Sequence, residues 1–389
     1  MNSLKYIVCG LLALAFMAIA CERRPLEVIV EERVQVRIVV DWRFNNFASS
    51  EAGMRYAFTA DSAYIDSAAN RYYGGEPSGI TLMLWGQTTG ERIYQTVNGH
   101  IAPVSLRPDT YQLIVFSNTE DEYSQYMSLY DRTSFNDITM RLHHYASRTD
   151  GQDYIWSPDP VGVAVDTFEV SRDMVAQDTT IFVRYEDFID GNYDRQAQGG
   201  RYYEIPEHAI PMTVTLYLQA KVKNRASLKH IEASISGMAD GFYLAHINRT
   251  RETGTIELDP KGWEFRAYGA EADSLGFIVN KTATFGLPYG KELLSERDSA
   301  DNVLSFRITL TNDSVQTCSF RVGKNMLYLK PDGSEAQVRR RQDLHDLRLE
   351  VDLTDVIVLP PVEGKKTGAG FDAEVVDWEY GGTFDVEGF

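Results

Sequence analysis

The residues of this chain that could carry out metal or acid–base chemistry do not have the spacing that such chemistry requires. Seven histidines are present, and the neighbours His143 and His144 would point to opposite faces of a strand, so they could not share a metal ion. Glu31-Glu32 and the acidic run 120–122 supply adjacent carboxylates. General acid–base catalysis needs two carboxyl groups held at a fixed separation, and adjacency in sequence does not provide that.

Two further segments superficially resemble ligand-binding loops. The segment 286–291 lacks the phosphate-loop spacing, and Glu292 follows its lysine. The acidic segment 187–194 does not place its ligands or its glycine as an EF-hand loop does. No G-x-S-x-G nucleophile elbow is present. We therefore predict that the protein is not an enzyme and that it has no catalytic residues, no metal site and no cofactor.

Cys21 is the residue for which the sequence predicts a specific reaction. Lys5 precedes an apolar run over residues 6–17, which is the order found in a signal peptide. The segment Ala18-Ile19-Ala20-Cys21 then resembles the bacterial lipobox. The alternative, a transmembrane anchor, would need about 20 apolar residues. We predict cleavage before Cys21 and attachment of a diacylglyceride and an acyl chain to it, which would hold the protein stably on a membrane.

The charge of the mature chain limits its predicted partners, and its cysteine content limits the disulfides that it could form. Loss of residues 1–20 removes Lys5 and leaves 37 basic against 56 acidic residues, a net charge of −19. Nucleic acid is therefore excluded as a predicted partner, and the acyl chains are left as the membrane contact. Cys318 is then the one thiol besides Cys21 in the mature sequence, so no intrachain disulfide framework is expected.

The apolar residues alternate with polar ones with a period of two, which is typical of β-strands that bury one face. This period covers the segments 34–42, 213–222, 304–311 and 346–353. Turn-forming pairs such as Asn98-Gly99 separate such runs. The pattern predicts an all-β protein built of antiparallel β-sandwiches.

The length indicates more than one domain. The mature chain of 369 residues exceeds the roughly 250–300 residues that one hydrophobic core usually supports. We predict a signal peptide over residues 1–20, a tether over 21–33, an N-terminal sandwich over 34–172 and a C-terminal sandwich over 173–389. Brief helices are predicted over 123–130 and 290–297, and a late strand over 373–378.

Several phrases of the mature sequence, in their order behind the lipobox, resemble the fimbrillin-like lipoproteins of Bacteroidales, a group of fimbrium subunits and their anchoring partners. These phrases are Val39-Val40-Asp41-Trp42 and the segments 53–58, 104–118, 235–241 and 370–378. The resemblance spans nearly the whole mature chain. It implies two tandem β-sandwich domains with transthyretin-like Greek-key topology. At 107–109 the chain has Arg-Pro-Asp where such proteins often have a glycine turn.

The resemblance also implies a mode of assembly. In polymerising fimbrillins an arginine-specific protease removes the N-terminal strand, and an extended segment of a neighbouring subunit fills the groove. An unpaired sheet edge permits this β-strand addition because it presents a row of backbone donors and acceptors. Arg23, Arg24 and Arg33 are the candidate cleavage points here, and an uncut chain would remain lipid-anchored.

Six Asp-Ser or Asp-Thr pairs resemble the acceptor motif for O-glycosylation in Bacteroidales. The candidate acceptors are Ser62, Ser67, Thr179, Ser274, Ser299 and Ser314. The 22 tyrosines and 18 phenylalanines would allow a carbohydrate-stacking platform, although aromatic side chains are also favoured in sandwich cores.

These observations together predict a lipid-anchored protein of the outer membrane or cell surface. The leading hypothesis is a fimbrium anchor or accessory subunit that acts in adhesion and in assembly with fimbrial subunits by strand-edge pairing. The alternative is a surface lipoprotein that binds a glycan or a host ligand, which the aromatic content would permit.

Overall fold

A computed structural model describes the backbone of residues 32–40, 77–99, 101–147, 151–158, 161–174, 179–183, 201–205, 210–260, 262–267, 275–329, 335–336, 347–361 and 383–384. The strands of the first half are β1 (Val34–Val40), β2 (Gly79–Gly86), β3 (Arg92–Asn98), β4 (Ile101–Leu106), β5 (Asp109–Ser117), β6 (Met127–Tyr130), β7 (Thr139–Leu142), β8 (His144–Ala146), β9 (Asp153–Ile155), β10 (Gly162–Val170), β11 (Thr179–Val183) and β12 (Arg201–Ile205).

The strands of the second half are β13 (Ile210–Pro211), β14 (Val214–Lys223), β15 (Leu228–Ala239), β16 (Gly241–Tyr243), β17 (Asn248–Arg249), β18 (Thr253–Glu257), β19 (Glu264–Ala267), β20 (Leu275–Thr284), β21 (Val303–Leu310), β22 (Val315–Arg321), β23 (Met326–Leu329), β24 (Arg348–Val358) and β25 (Thr383–Phe384). The all-β prediction is therefore confirmed.

Helices are short in the part of the chain that the structure describes. The α-helix α1 (Glu120–Tyr123) is accompanied by 3-10 turns at Arg172–Met174, Arg225–Ser227, Leu294–Glu296, Ser299–Asp301 and Gly323–Asn325. Each of these described helices is too short and too polar to cross a membrane. The predicted helix over 123–130 is wrong in part, because α1 ends at Tyr123 and β6 occupies 127–130. The capping box formed by Thr119 and Glu122 starts the helix earlier, at Glu120.

The strands form five sheets. Their orders are β12-β11-β1-β4, β13-β10-β5-β2-β3, β19-β20-β14-β24-β23, β25-β22-β21-β15-β18-β9-β8 and β17-β16-β7-β6. Most neighbours are antiparallel, as the alternation predicted. Parallel pairs also occur: β1 with β11, β11 with β12, β14 with β24, β18 with β9 and β22 with β25. Parallel neighbours need a long connection between the strands, and the members of each pair are well separated in sequence.

The sheet that contains β2 and β5 separates two hydrophobic cores. On one side Leu82, Leu84 and Leu113 join β1 in the N-terminal core, which includes Val34, Val36, Ile38 and Val40. On the other side Met83, Trp85, Ile114 and Phe116 join a larger C-terminal core with Leu216, Phe306 and Leu349. Every residue of β2 is buried, which is the pattern of a strand covered on both faces.

Strands from both sides of residue 172 share sheets. β11 and β12 follow that residue but pair in the sheet of β1, and β9 precedes it but pairs with β18. The domain boundary near Arg172 and the Greek-key topology stay predictions. The predicted strand over 373–378 lies outside the described residues.

Candidate functional site

The predicted site residues are divided between described and undescribed parts of the chain. Outside the described residues lie Cys21, Arg23, Arg24, Ser62, Ser67 and Ser274. Arg33 lies directly before β1, and the remaining glycosylation candidates lie on three other elements. The structure therefore gives the contacts of one predicted cleavage point, and lipid attachment at Cys21 stays a prediction.

The described glycosylation candidates have different surroundings. Thr179 begins β11, and its backbone lies between Val36 of β1 and Arg201 of β12. Ser299 is half-buried in the first position of a 3-10 turn that Asp298 caps. Ser314 is exposed, and its hydroxyl donates to Oδ1 of Asn312 at 2.6 Å. Modification at each position stays a prediction.

Arg33 is held by two contacts at the point where the chain enters the N-terminal sheet. Its Nη1 donates to the carbonyl of Ser105 on β4 at 2.9 Å and lies 3.0 Å from Oε1 of Glu91. Gln35 adds a second contact to the same residue, because its amide donates to the Ser105 hydroxyl at 3.0 Å. Together these contacts fasten the start of β1 to β4 and to the turn before β3.

Glu91 connects this attachment to the interior of the N-terminal core. Its Oε2 accepts the hydroxyl of Tyr111 and the backbone N–H of Arg107, the latter at 3.3 Å. Burial alone would raise the pKa of Glu91, but the hydrogen bonds and the charge of Arg33 together hold that pKa below its usual value. Glu91 therefore remains an anion that attracts Arg33.

Tyr111 closes the corner between β4 and β5. Its fully buried ring stacks on Phe168 at 5.9 Å, and its hydroxyl also donates to the carbonyl of Arg107 at 3.1 Å. A tyrosine that bonds to the backbone a few residues upstream is known in β-sandwich domains as a tyrosine corner. Burial, and then the bond to Glu91, raise the pKa of Tyr111, so it stays a neutral donor.

Asp109 lies at the position where the family resemblance suggests a glycine turn. Hydrogen bonds to its side chain stabilise the adjacent turn. Its carboxylate accepts the N–H of Thr89 at 2.7 Å, the hydroxyl of Thr89 at 2.6 Å and the N–H of Thr88 at 3.1 Å. The N–H of Thr110 donates to it at 2.7 Å. Burial opposes ionisation, but these donors lower the pKa of Asp109 to about 2.

Replacing Asp109 with alanine is expected to destabilise the protein by about 1–3 kcal/mol at neutral pH, because Thr88 and Thr89 lose their acceptor. A lowered pKa stabilises the fold above the ordinary value of 3.8, and that contribution disappears as the pH falls towards 2. Urea unfolding between those pH values should therefore show the difference between wild type and variant shrinking. Alanine at exposed Asp121 should change stability little, and an equal loss there would contradict the assignment.

The position of β1 determines which part of the chain cleavage at the candidate arginines would release. All three candidates precede Val34, so a cut at any of them would release the lipid tether and leave β1 in its sheet. The first arginine after β1 is Arg43, which lies outside the described residues. Opening a groove by removing β1 would require a cut at or beyond that residue.

The ion pair with Glu91 is expected to slow proteolysis at Arg33, because a protease must pull the arginine out of its contacts to cut after it. Glu91→Gln keeps an oxygen acceptor but removes the charge, so cleavage between Arg33 and Val34 should be about two- to tenfold faster. Intact-mass analysis during digestion with an arginine-specific protease measures this rate. Glu120→Gln, which breaks the more exposed pair with Arg132, is the matched control. Equal rates in all three proteins would contradict the protective role.

Sequence reasoning missed the contacts of Glu91 and Tyr111, which join positions 33, 91, 107 and 111. It also missed the contacts of Asp109 with Thr88 and Thr89. No local pattern links these positions. Among the described residues, no group of three or more His, Cys, Asp or Glu side chains is arranged to hold a metal ion. The described part of the chain contains an N-terminal strand that is held by side-chain contacts, and several sheet edges.

Comparisons with known proteins give structural matches alone. No protein-family model matches the sequence, and no curated protein matches it either. An adhesin candidate from Bacteroides ovatus ATCC 8483 has 13% identity and a TM-score of 0.46, over 88% of this chain and 98% of that chain. A second adhesin candidate, from Bacteroides thetaiotaomicron VPI-5482, has 12% identity and a TM-score of 0.41, over 74% and 80%.

The fimbrial anchor protein Mfa2 from Porphyromonas gingivalis has 11% identity and a TM-score of 0.36, over 81% of this chain and 89% of that chain. The structural neighbours of this all-β chain thus include two adhesin candidates and a fimbrial anchor protein. At these identities and TM-scores, the functions of the neighbours do not transfer to this chain by likeness.

Proposed function

We propose that this protein is a lipid-anchored subunit of the cell envelope that serves as a fimbrium anchor or accessory subunit in adhesion. The proposal starts from the lipobox at Cys21 and the fimbrillin-like phrases of the sequence. The observation that carries it is the position of β1: the first described strand behind the predicted lipid is paired on both edges, with β4 and with β11.

This pairing suits an anchor mechanically. A pull on the membrane tether enters the protein at Val34 and acts along β1. Ladder contacts run from Val34 to Val39 on the β4 side and from Val36 to Val40 on the β11 side, so many hydrogen bonds resist the displacement together. The side chains of Val34, Val36 and Ile38 are also buried in the N-terminal core. An anchor of this kind needs its tether intact, so the proposed state is the chain uncut between Cys21 and β1.

Assembly with other subunits is proposed to use a free sheet edge. β3 is the end strand of its sheet, and among the described strands only β2 pairs with it. Along β3, exposed and half-buried residues alternate. Ile93 and Val97 pack against the N-terminal core on one face, and the other face is open to solvent. An extended segment of a fimbrial subunit could therefore pair with β3 by β-strand addition.

The envelope role is tested in the source bacterium with a tagged full-length protein and a deletion strain. Fimbrial subunits should co-purify with the tagged protein, and the deletion should detach the fimbriae or alter their length. Normal fimbriae in the deletion strain, together with the absence of fimbrial subunits from the purified material, would refute the proposal.

The docking edge is tested separately by photo-crosslinking. A photoreactive phenylalanine derivative in place of Tyr94, which is 38% exposed on β3, should form a crosslink to a fimbrial subunit. The same derivative in place of Tyr289, which is 40% exposed on a loop outside β3, is the matched control. Crosslinking at both positions or at neither would reject β3 as the edge and leave the anchor role to be judged by the deletion strain.

A further inference from the structure

Trp156 is an exposed aromatic side chain on a rigid support. It directly follows β9 in the hairpin formed by β8 and β9, and 41% of it is exposed. The other described tryptophans are more enclosed: Trp85 is 9% exposed against Phe135, and Trp263 packs on Phe306 of the C-terminal core. Packing in the hydrophobic core accounts for the positions of Trp85 and Trp263, but it does not account for the exposure of Trp156.

The ring of Trp156 is held in place by neighbouring aromatic rings. Its centroid lies 4.6 Å from that of Tyr145 at an interplanar angle of 38°, and 6.0 Å from that of Tyr126 at 63°. Tyr145 in turn stacks on buried Tyr154 at 5.8 Å and donates its hydroxyl to Oε2 of Glu257 at 2.9 Å. The indole is therefore positioned before any ligand arrives, which reduces the entropy lost on binding.

The backbone fixes the same position. The N–H of Trp156 donates to the carbonyl of His143 at 3.0 Å, which extends the β8–β9 ladder by one residue. On the other side of β9, Ile155 is buried and pairs with Ile256 of β18. The hairpin is thus attached to the large seven-stranded sheet while Trp156 reaches solvent.

A carboxylate lies beside this platform. Glu257 is half-buried and accepts the hydroxyl of Tyr145, whose ring packs on Trp156. His144 and Asp153, with Nδ1 and Oδ2 2.9 Å apart, lie on the opposite face of the hairpin, the face of Ile155. A carboxylate accepts hydrogen bonds from sugar hydroxyls. A single exposed ring is too small for a stable protein interface, which buries about 800 Å² on each partner.

We propose that the Trp156 platform, consisting of Trp156, Tyr145, Tyr126 and Glu257, binds a neutral hexopyranose of a glycan. The apolar C–H face of such a sugar carries partial positive charge and fits the electron-rich face of the indole, while its hydroxyls donate to the carboxylate of Glu257. Charge selects the neutral sugar, because the chain has a net charge of −18 and the carboxylate of Glu257 lies beside Tyr145. The platform does not depend on the fimbrial role, since it needs no subunit contact.

Binding is tested with the full-length protein in a detergent that has no sugar head group. The probes are methyl β-D-galactopyranoside, methyl β-D-glucopyranoside and methyl α-D-mannopyranoside, with N-acetylneuraminic acid as the anionic comparison. Saturation-transfer NMR titrations should show millimolar binding of at least one neutral probe and weaker binding of the anionic one. Trp156→Ala should weaken binding by about tenfold, and Trp156→Phe, which keeps a smaller ring, should weaken it less.

Two controls separate the platform from general effects. Tyr130→Ala removes a 50% exposed aromatic outside the platform and should leave binding unchanged. Near-ultraviolet circular dichroism and thermal unfolding check that Trp156→Phe is folded, so that this variant can replace Trp156→Ala if alanine disrupts the hairpin. The inference is overturned if no neutral probe binds, if neuraminic acid binds more tightly, or if Tyr130→Ala weakens binding as much as Trp156→Ala. Loss of a protein partner in Trp156→Ala without hexoside binding to wild type would also overturn it.

Discussion

Cys21→Ser is expected to move the protein almost completely from the membrane fraction to the soluble fraction, with loss of fatty-acid labelling. Serine lacks the thiol that forms the thioether to the diacylglyceride, and the mature chain then has no acyl chains. The acidic surface, with a net charge of −19 after removal of residues 1–20, would not replace them at an anionic lipid surface. Membrane fractionation and radiolabelled palmitate incorporation measure the effect.

Two cysteine variants control for general effects of the substitution. Cys9→Ser lies in the predicted signal peptide and should change neither fractionation nor labelling. Cys318→Ser removes a half-buried thiol of β22 and should leave both unchanged as well. If Cys21→Ser retained its label and its membrane association, lipid attachment at Cys21 would be rejected and with it the anchor role.

Ile38→Ala is expected to destabilise the protein by about 2–5 kcal/mol, because it creates a cavity in the N-terminal core. The Ile38 side chain is fully buried, and its backbone lies between Ala102 of β4 and Ile181 of β11. If β1 transmits load from the tether, the variant should also release the strand more readily. Urea unfolding followed by tryptophan fluorescence measures the loss.

Gln35→Ala is the matched control on the same strand. Gln35 is exposed and bonds the hydroxyl of Ser105, so its loss should cost less than about 1 kcal/mol. Equal destabilisation by the two variants would mean that β1 contributes through its backbone alone. No destabilisation by Ile38→Ala would contradict the inclusion of β1 in the core.

Local alternation located individual strands, because side chains of a strand point to opposite faces with a period of two. The alternation over 304–311 corresponds to β21, which buries one face, and the alternation over 213–222 corresponds to β14, which is buried on both faces from Val214 to Ala220. The same reasoning failed at 123–130, where a polar segment was predicted as one helix. There the capping box of Thr119 starts a short helix at Glu120, the helix ends at Tyr123, and residues 127–130 pair with β7 as β6.

The contacts around Arg33 show a different limit. The sequence identified this arginine as a candidate cleavage point, but its protection by Glu91 and Ser105 depends on residues 58 and 72 positions away. The exposure of Trp156 is of the same kind. Its ring packs on Tyr126, which lies 30 positions earlier in the chain, and on Tyr145 of the paired strand β8.

By itself, the sequence determined the all-β class, the positions of β1, β14, β21 and β24, and the predicted chemistry of Cys21, because each of these depends on neighbouring residues. The tertiary structure alone decided that β1 lies between β4 and β11, that β2 is buried on both faces, and that Trp156 reaches solvent. These features depend on which distant segments meet. Period-two alternation specifies a buried face but not the partner that covers it, since many pairings satisfy the same pattern.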